Sequence, residues 1–128
     1  MSTRIRTVLL ALFLAASASL LFAAIGDGEW LKQVPDKART RSNPLSSAPD
    51  TTAGGGRLFV RHCAQCHGED AHGVKGKPDL HTERVRNATP GELEWLLRNG
   101  SLKNGMPEWS GLPEGQRWQL VSYLKTLK

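Results

Sequence analysis

Cysteine is nearly absent from this chain: two in 128 residues, alongside one tyrosine and two methionines, one of them the initiator. Two cysteines cannot build a disulfide scaffold. The formal net charge of +5 comes without any block of like charge. Arg4 and Arg6 open the chain, the middle is balanced, and the C-terminal part carries a mild excess, so no basic tail for nucleic acid is present. No stretch alternates apolar and polar residues at period two, which removes the main signal for strands. No internal repeat occurs.

What the sequence does have is one long uncharged run. "VLLALFLAASASLLFAAI", residues 8–25, follows the two arginines. As a helix it would be roughly 27 Å long at ~1.5 Å per residue, against a hydrocarbon core of ~30 Å. It exceeds the roughly 7–15 apolar residues of a signal peptide, and its small-residue cleavage sites are awkwardly placed. The length favours an uncleaved membrane anchor over a removed signal; in both cases the arginines stay cytoplasmic and the rest is exported to the periplasmic side. Residues 26–53 mix charges of both signs with Pro35, Pro44 and Pro49. That composition predicts a flexible linker, with Trp30 and Leu31 at the membrane interface or incidental within it.

Residues 54–128 read as the folded part, and as helices. "TPGELEWLLRNG" carries a capping box at Thr89 and Glu92, proline at the first helical position and Gly100 at the exit. Its apolar face is Leu93, Leu96 and Leu97, with Trp95 alongside. A last helix from about Glu114 sets Trp118, Leu120, Val121 and Leu124 on one face, and an earlier one holds Leu58, Phe59 and Cys63. Three helices and a long polar loop from Gly68 to Ala88 make a thin core, and a loop that long is expected to wrap something. A buried planar cofactor would supply the missing apolar surface.

Both cysteines fall in "HCAQCHGED", residues 62–70. A redox dithiol wants a β-α-β setting, which is missing. A structural zinc site needs four closed ligands, so His62 or His72 would have to join Cys63, Cys66 and His67. Covalent haem uses all three residues in their order: two thiols add to two vinyl groups and the adjacent imidazole reaches the iron. The sixth ligand falls to Met106, in the Gly-Met-Pro turn of "NGMPEW" rather than on an apolar helix face where a packing methionine belongs. Pro107 stiffens that turn, and thioether opposite imidazole suits electron transfer.

The chain resembles the class I c-type cytochromes over about residues 54–128. The likeness rests on Gly55 and Phe59 ahead of "CAQCHG", on Pro78-Asp79-Leu80, on "NGMPEW" and on "WQLVSYLKTL". It implies a small all-α fold around one haem c, with Gly55 and Phe59 crossing the last helix near Tyr123 and Leu124. It also implies that the Pro78 carbonyl accepts the Nδ1 proton of His67, and that Leu80 and Trp109 line the haem pocket beside Met106. Pro113 and Gly115 depart from the family's usual start of the last helix.

His62, His72 and His81 are read as loop histidines, Asp79 and Glu69 lack the partners of a catalytic constellation, and Arg84 or Arg86 can meet a haem propionate. The expected function is one-electron transfer between redox partners. A cytochrome subunit of a dehydrogenase or oxidase complex, and a haem enzyme or gas sensor, are the alternatives.

Overall fold

The computed structural model describes residues 28–128; the apolar run at residues 8–25, expected to be an anchor or signal, lies outside them. No helix among the described residues is long and apolar enough to cross a membrane. Seven α-helices occur among them: α1 (Glu29–Gln33), α2 (Asp36–Arg39), α3 (Thr51–His62), α4 (Ala64–His67), α5 (Glu83–Asn87), α6 (Pro90–Asn99) and α7 (Glu114–Leu124). A short 3-10 turn, Leu102–Asn104, lies between the last two. Strands are absent among the described residues; Ser101 and Met106 form an isolated antiparallel bridge.

The long helices start and stop as their sequences dictate. Thr89 accepts from the Glu92 N–H at 3.1 Å while Glu92 accepts from the Thr89 N–H at 2.7 Å, closing the expected box around Pro90. Gly100 ends α6 at φ 67°. At α7 the departure seen in the sequence has a structural counterpart, since Pro113 takes the capping position without any side-chain bond. The anticipated faces are the buried ones: Leu93 and Leu97 of α6, and Trp118, Leu120, Val121 and Leu124 of α7, close over Phe59 of α3.

α3 and α7 cross in close contact at Gly55. A Cβ on Gly55 would collide with the backbone carbonyl of Gln119 and lie 2.9 Å from Tyr123 Cβ. One turn on, Phe59 packs on Tyr123 with ring centroids 5.1 Å apart. These are the contacts that the family likeness implied.

Residues 28–53 differ from expectation. They were predicted to be a flexible linker, with the folded part starting at 54, yet they carry α1, α2 and the first turn of α3. Val34 and Asn43 are buried, and Trp30 and Leu45 pack against the core. The reason lies in charge pairs too distant in sequence to be read locally. Arg39 bonds Glu92, and Arg41 reaches both Glu94, at 3.2 Å, and Glu114. Arg41 also lies over the Trp118 ring, 5.1 Å from its centroid. Asn43 donates to the Trp118 carbonyl and to Ser122 Oγ, at 3.1 and 2.8 Å. Glu94 is 2% exposed and receives Arg117 from the other side at 2.8 Å. A buried carboxylate stays charged only when so paired, and here the so-called linker supplies one of its two guanidinium partners.

Gly55→Ala is expected to force α3 and α7 apart. Overpacking of this kind costs about 2 kcal/mol, or roughly 10 °C in midpoint for a domain of this size. Gly56→Ala meets nothing nearer than the Tyr123 ring at 3.4 Å and should leave the midpoint unchanged or raise it slightly. Thermal unfolding followed by far-UV dichroism checks both.

Candidate haem-binding site

Phe59 is locked into the core, and three residues beyond it α3 ends at His62, so the next residue emerges at the wall of an apolar cavity of about 290 Å³. Cys63, Cys66 and His67 all line that cavity. The short helix α4 carries the last two, and its geometry is kept by the loop that follows. Val74 N–H donates to the Cys66 carbonyl at 3.0 Å and Gly73 N–H to the His67 carbonyl at 2.7 Å. His67 Nδ1 lies 3.0 Å from the Pro78 carbonyl. A carbonyl can only accept, so the proton sits on Nδ1 and Nε2 is left as the ring's lone-pair nitrogen.

The opposite wall comes from the segment after α6. Ser101 and Met106 exchange two backbone bonds, of 2.9 and 3.1 Å, across the 3-10 turn. Trp109 N–H then donates to the Leu97 carbonyl at 2.8 Å, tying the end of the turn to α6. Met106 and Trp109 are half-buried, pack against the core and line the cavity. Gly100 makes this possible, since its backbone is in the left-handed region and a Cβ there would lie 2.6 Å from Glu108 N and 2.8 Å from the Met106 carbonyl. Leu80 and Pro78 close one side, Leu93, Leu97, Leu120 and Leu124 the floor.

The chemistry of the donors separates the readings left by the motif. Both cysteines are free. Burial, with Cys66 nearby, pushes the Cys63 thiol up to about 11, so at neutral pH it is a neutral thiol. Addition to a vinyl group leaves an uncharged thioether, which an apolar wall tolerates. Cys63, Cys66 and His67 are also not among the residues whose donor atoms converge as a metal-binding group; within the described residues that trio is His72, Asp79 and His81. The cavity therefore fits a flat apolar ring with attachment points at Cys63 and Cys66.

Other candidates separate cleanly. His62 lines the cavity and packs on Trp109 with centroids 5.3 Å apart, whereas His72 and His81 do not line it. Arg84 lines it, while Arg86 donates to the His81 carbonyl at 2.8 Å. Trp30, read as a membrane-interface or linker residue, lines it as well. Nothing local signals that role, because Trp30 arrives with a segment held by Arg39 and Arg41.

Comparison with known proteins gives the fold and then the family. The structure matches the crystal structure of cytochrome CL from the methylotroph Methylophaga aminisulfidivorans with a TM-score of 0.57, covering 68% of this chain and 59% of that one at 22% identity. That likeness establishes the fold. Over 64 residues the chain is 38% identical to the cbb3-type cytochrome c oxidase subunit CcoP of Rubrivivax gelatinosus. The match takes in 49% of this chain and spans about a fifth, 21%, of that subunit. The family model for cytochrome c oxidase, cbb3-type, subunit III, matches residues 50–124, and the chain belongs to that family. With the Cys-x-x-Cys-His segment, that makes it a class I c-type cytochrome domain whose cofactor is covalent haem c with its iron.

Gly100→Ala should cost about 1–3 kcal/mol through its left-handed backbone and loosen the turn it supports. The Ser101 and Met106 amides should then exchange with solvent about tenfold faster or more, as seen by hydrogen-exchange NMR. Gly111→Ala, with nothing within 4 Å, should change neither.

Proposed function

We propose that this domain is a one-electron carrier in which Cys63 and Cys66 hold haem through two thioether bonds and His67 and Met106 are the axial ligands. When bound, haem supplies an iron that exchanges one electron between its ferrous and ferric forms. The chain's part is to fix both axial donors and to keep water away. His67 is oriented by the Pro78 carbonyl, which also raises the basicity of the ring. The observation that carries the reading is the Ser101–Met106 bridge, which sets a thioether on the cavity wall on a turn anchored at both ends. With His67 and Met106 both held by the fold, little would need to rearrange when the charge of a bound iron changes, and a substrate would find no open position. Thioether ligation favours the ferrous state. Leu80 and Trp109 pack the ring's surroundings, and the Arg84 guanidinium suits a propionate.

The relative's description as an oxidase subunit supports a respiratory oxidase complex as the partner. Export fits the same reading, with the domain on the periplasmic face of the membrane and residues 8–25 as its anchor.

Two measurements test the ligand set. Haem should stay with the polypeptide in a denaturing gel, and Cys63→Ala with Cys66→Ala should abolish the haem stain. Reduced wild-type protein should not bind carbon monoxide at neutral pH, while Met106→Ala should bind it readily with a markedly lower midpoint potential. Stoichiometric carbon monoxide binding by the wild type would instead establish an open sixth position and a sensor or enzyme.

A further inference from the structure

The loop from Gly68 to Ala88 holds a cluster of which only Asp79 touches the cavity, while His72 and His81 stand outside it. Leu80 N–H donates to the Ala71 carbonyl at 2.9 Å, which brings residues 71 and 80 side by side. Their successors, His72 and His81, therefore meet. The two imidazoles stack with centroids 4.0 Å apart and planes 18° from parallel. Asp79 reaches both, with Oδ2 at 3.1 Å from His72 Nδ1 and Oδ1 at 3.0 Å from His81 Nδ1. Backbone bonds hold the arrangement: His81 N–H donates to Asp79 Oδ1 at 2.7 Å, and His72 N–H to Asp70 Oδ1 at 3.2 Å.

One donor atom from each of the three residues lies within 4.8 Å of the other two. The nitrogen-to-oxygen separations of 3.0 and 3.1 Å are near the ~3.3 Å edge of a tetrahedron with metal–donor bonds of ~2.0–2.1 Å. Two imidazoles and one carboxylate form a borderline donor set, which suits zinc, copper or nickel and not magnesium or calcium, which take oxygen ligands. The side chains of His72 and Asp79 are 57% and 45% exposed, so an ion can enter and water can complete its shell.

We propose that His72, Asp79 and His81 bind a divalent transition-metal ion of the zinc type, separate from the haem iron, and that its presence is felt at the haem. The connection is covalent and short. The Pro78 carbonyl that accepts from His67 Nδ1 and the N–H of Asp79 belong to one peptide group. A cation on Asp79 draws electron density from that peptide, weakens the carbonyl as an acceptor and lowers the basicity of His67. It also adds positive charge beside the haem. Both effects favour ferrous iron, so the midpoint potential rises when the ion binds. This coupling rests on His67 as an axial ligand; the binding itself does not.

The test uses the full-length haem-loaded protein and zinc ion alone. Calorimetric titration should show one zinc per chain, with His72→Gln combined with His81→Gln weakening it at least tenfold. Glu69→Gln, an exposed acid of the same loop, should bind as the wild type does, and magnesium should not bind at this site. Equal zinc affinity in the wild type and the double variant would overturn the site. Redox titration with saturating zinc should raise the potential of the wild type and leave the double variant unmoved. Zinc binding without a change in potential overturns the coupling, and the wild type's behaviour toward carbon monoxide then tells whether the axial ligation failed with it.

Discussion

The crossing of α3 and α7 at Gly55 is the constraint from which the site follows. Helices that touch backbone to side chain, with Gln119 and Tyr123 against a residue that has no Cβ, have little freedom to slide or rotate. Phe59 is thereby locked on Tyr123, and the end of α3, where Cys63 begins the attachment segment, is delivered to one place. The same contact positions Leu120 and Leu124 as the floor beneath it. One glycine thus sets the distance between the wall that bears the cysteines and the apolar floor formed by Leu120 and Leu124.

Much of this was legible in the sequence because it is encoded over short distances. The capping box at Thr89, the exit at Gly100, the apolar face of α7 and the Cys-x-x-Cys-His spacing all act within a few residues of themselves. Gly55 and Phe59 were reached through family likeness, since a glycine inside a helix says only that something comes close, not what. Residues 28–53 were misread for the opposite reason. Their prolines and mixed charges match those of a disordered segment, and their partners Glu92, Glu94 and Glu114 lie 53 to 73 residues away. Charge pattern alone cannot tell a solvated arginine from one aimed at a buried carboxylate. Trp30 was lost along with that segment, as was the meeting of His72 with His81, which depends on a backbone bond between residues 71 and 80.

The loop from Gly68 to Ala88 does two jobs with one set of residues. Its inner side holds His67 through Pro78 and contributes Leu80 to the cavity, while Asp79, at the cavity edge, gathers His72 and His81 on the side away from it. It was expected to be irregular because it wraps a cofactor. It ends in the short helix α5, and the irregular part before it is closed by its own backbone bonds, from Val74 to Cys66, Gly73 to His67 and Leu80 to Ala71. An imidazole held by such a loop has fewer orientations available than one presented on a free strand, before any iron is bound.

The docking of residues 28–53 changes how far the domain can reach. Had that stretch been slack, the haem edge would have searched a sphere some 30 Å in radius, by ~5–6 Å times the square root of its length. With residues 28–53 folded onto α6 and α7, that stretch adds no slack of its own to the domain. The cavity then keeps a fixed place relative to residue 28, whereas a slack stretch would let it wander. Arg39 and Arg41 do for the segment that opens the described chain what Gly55 does for the crossing of α3 and α7: they remove the alternatives.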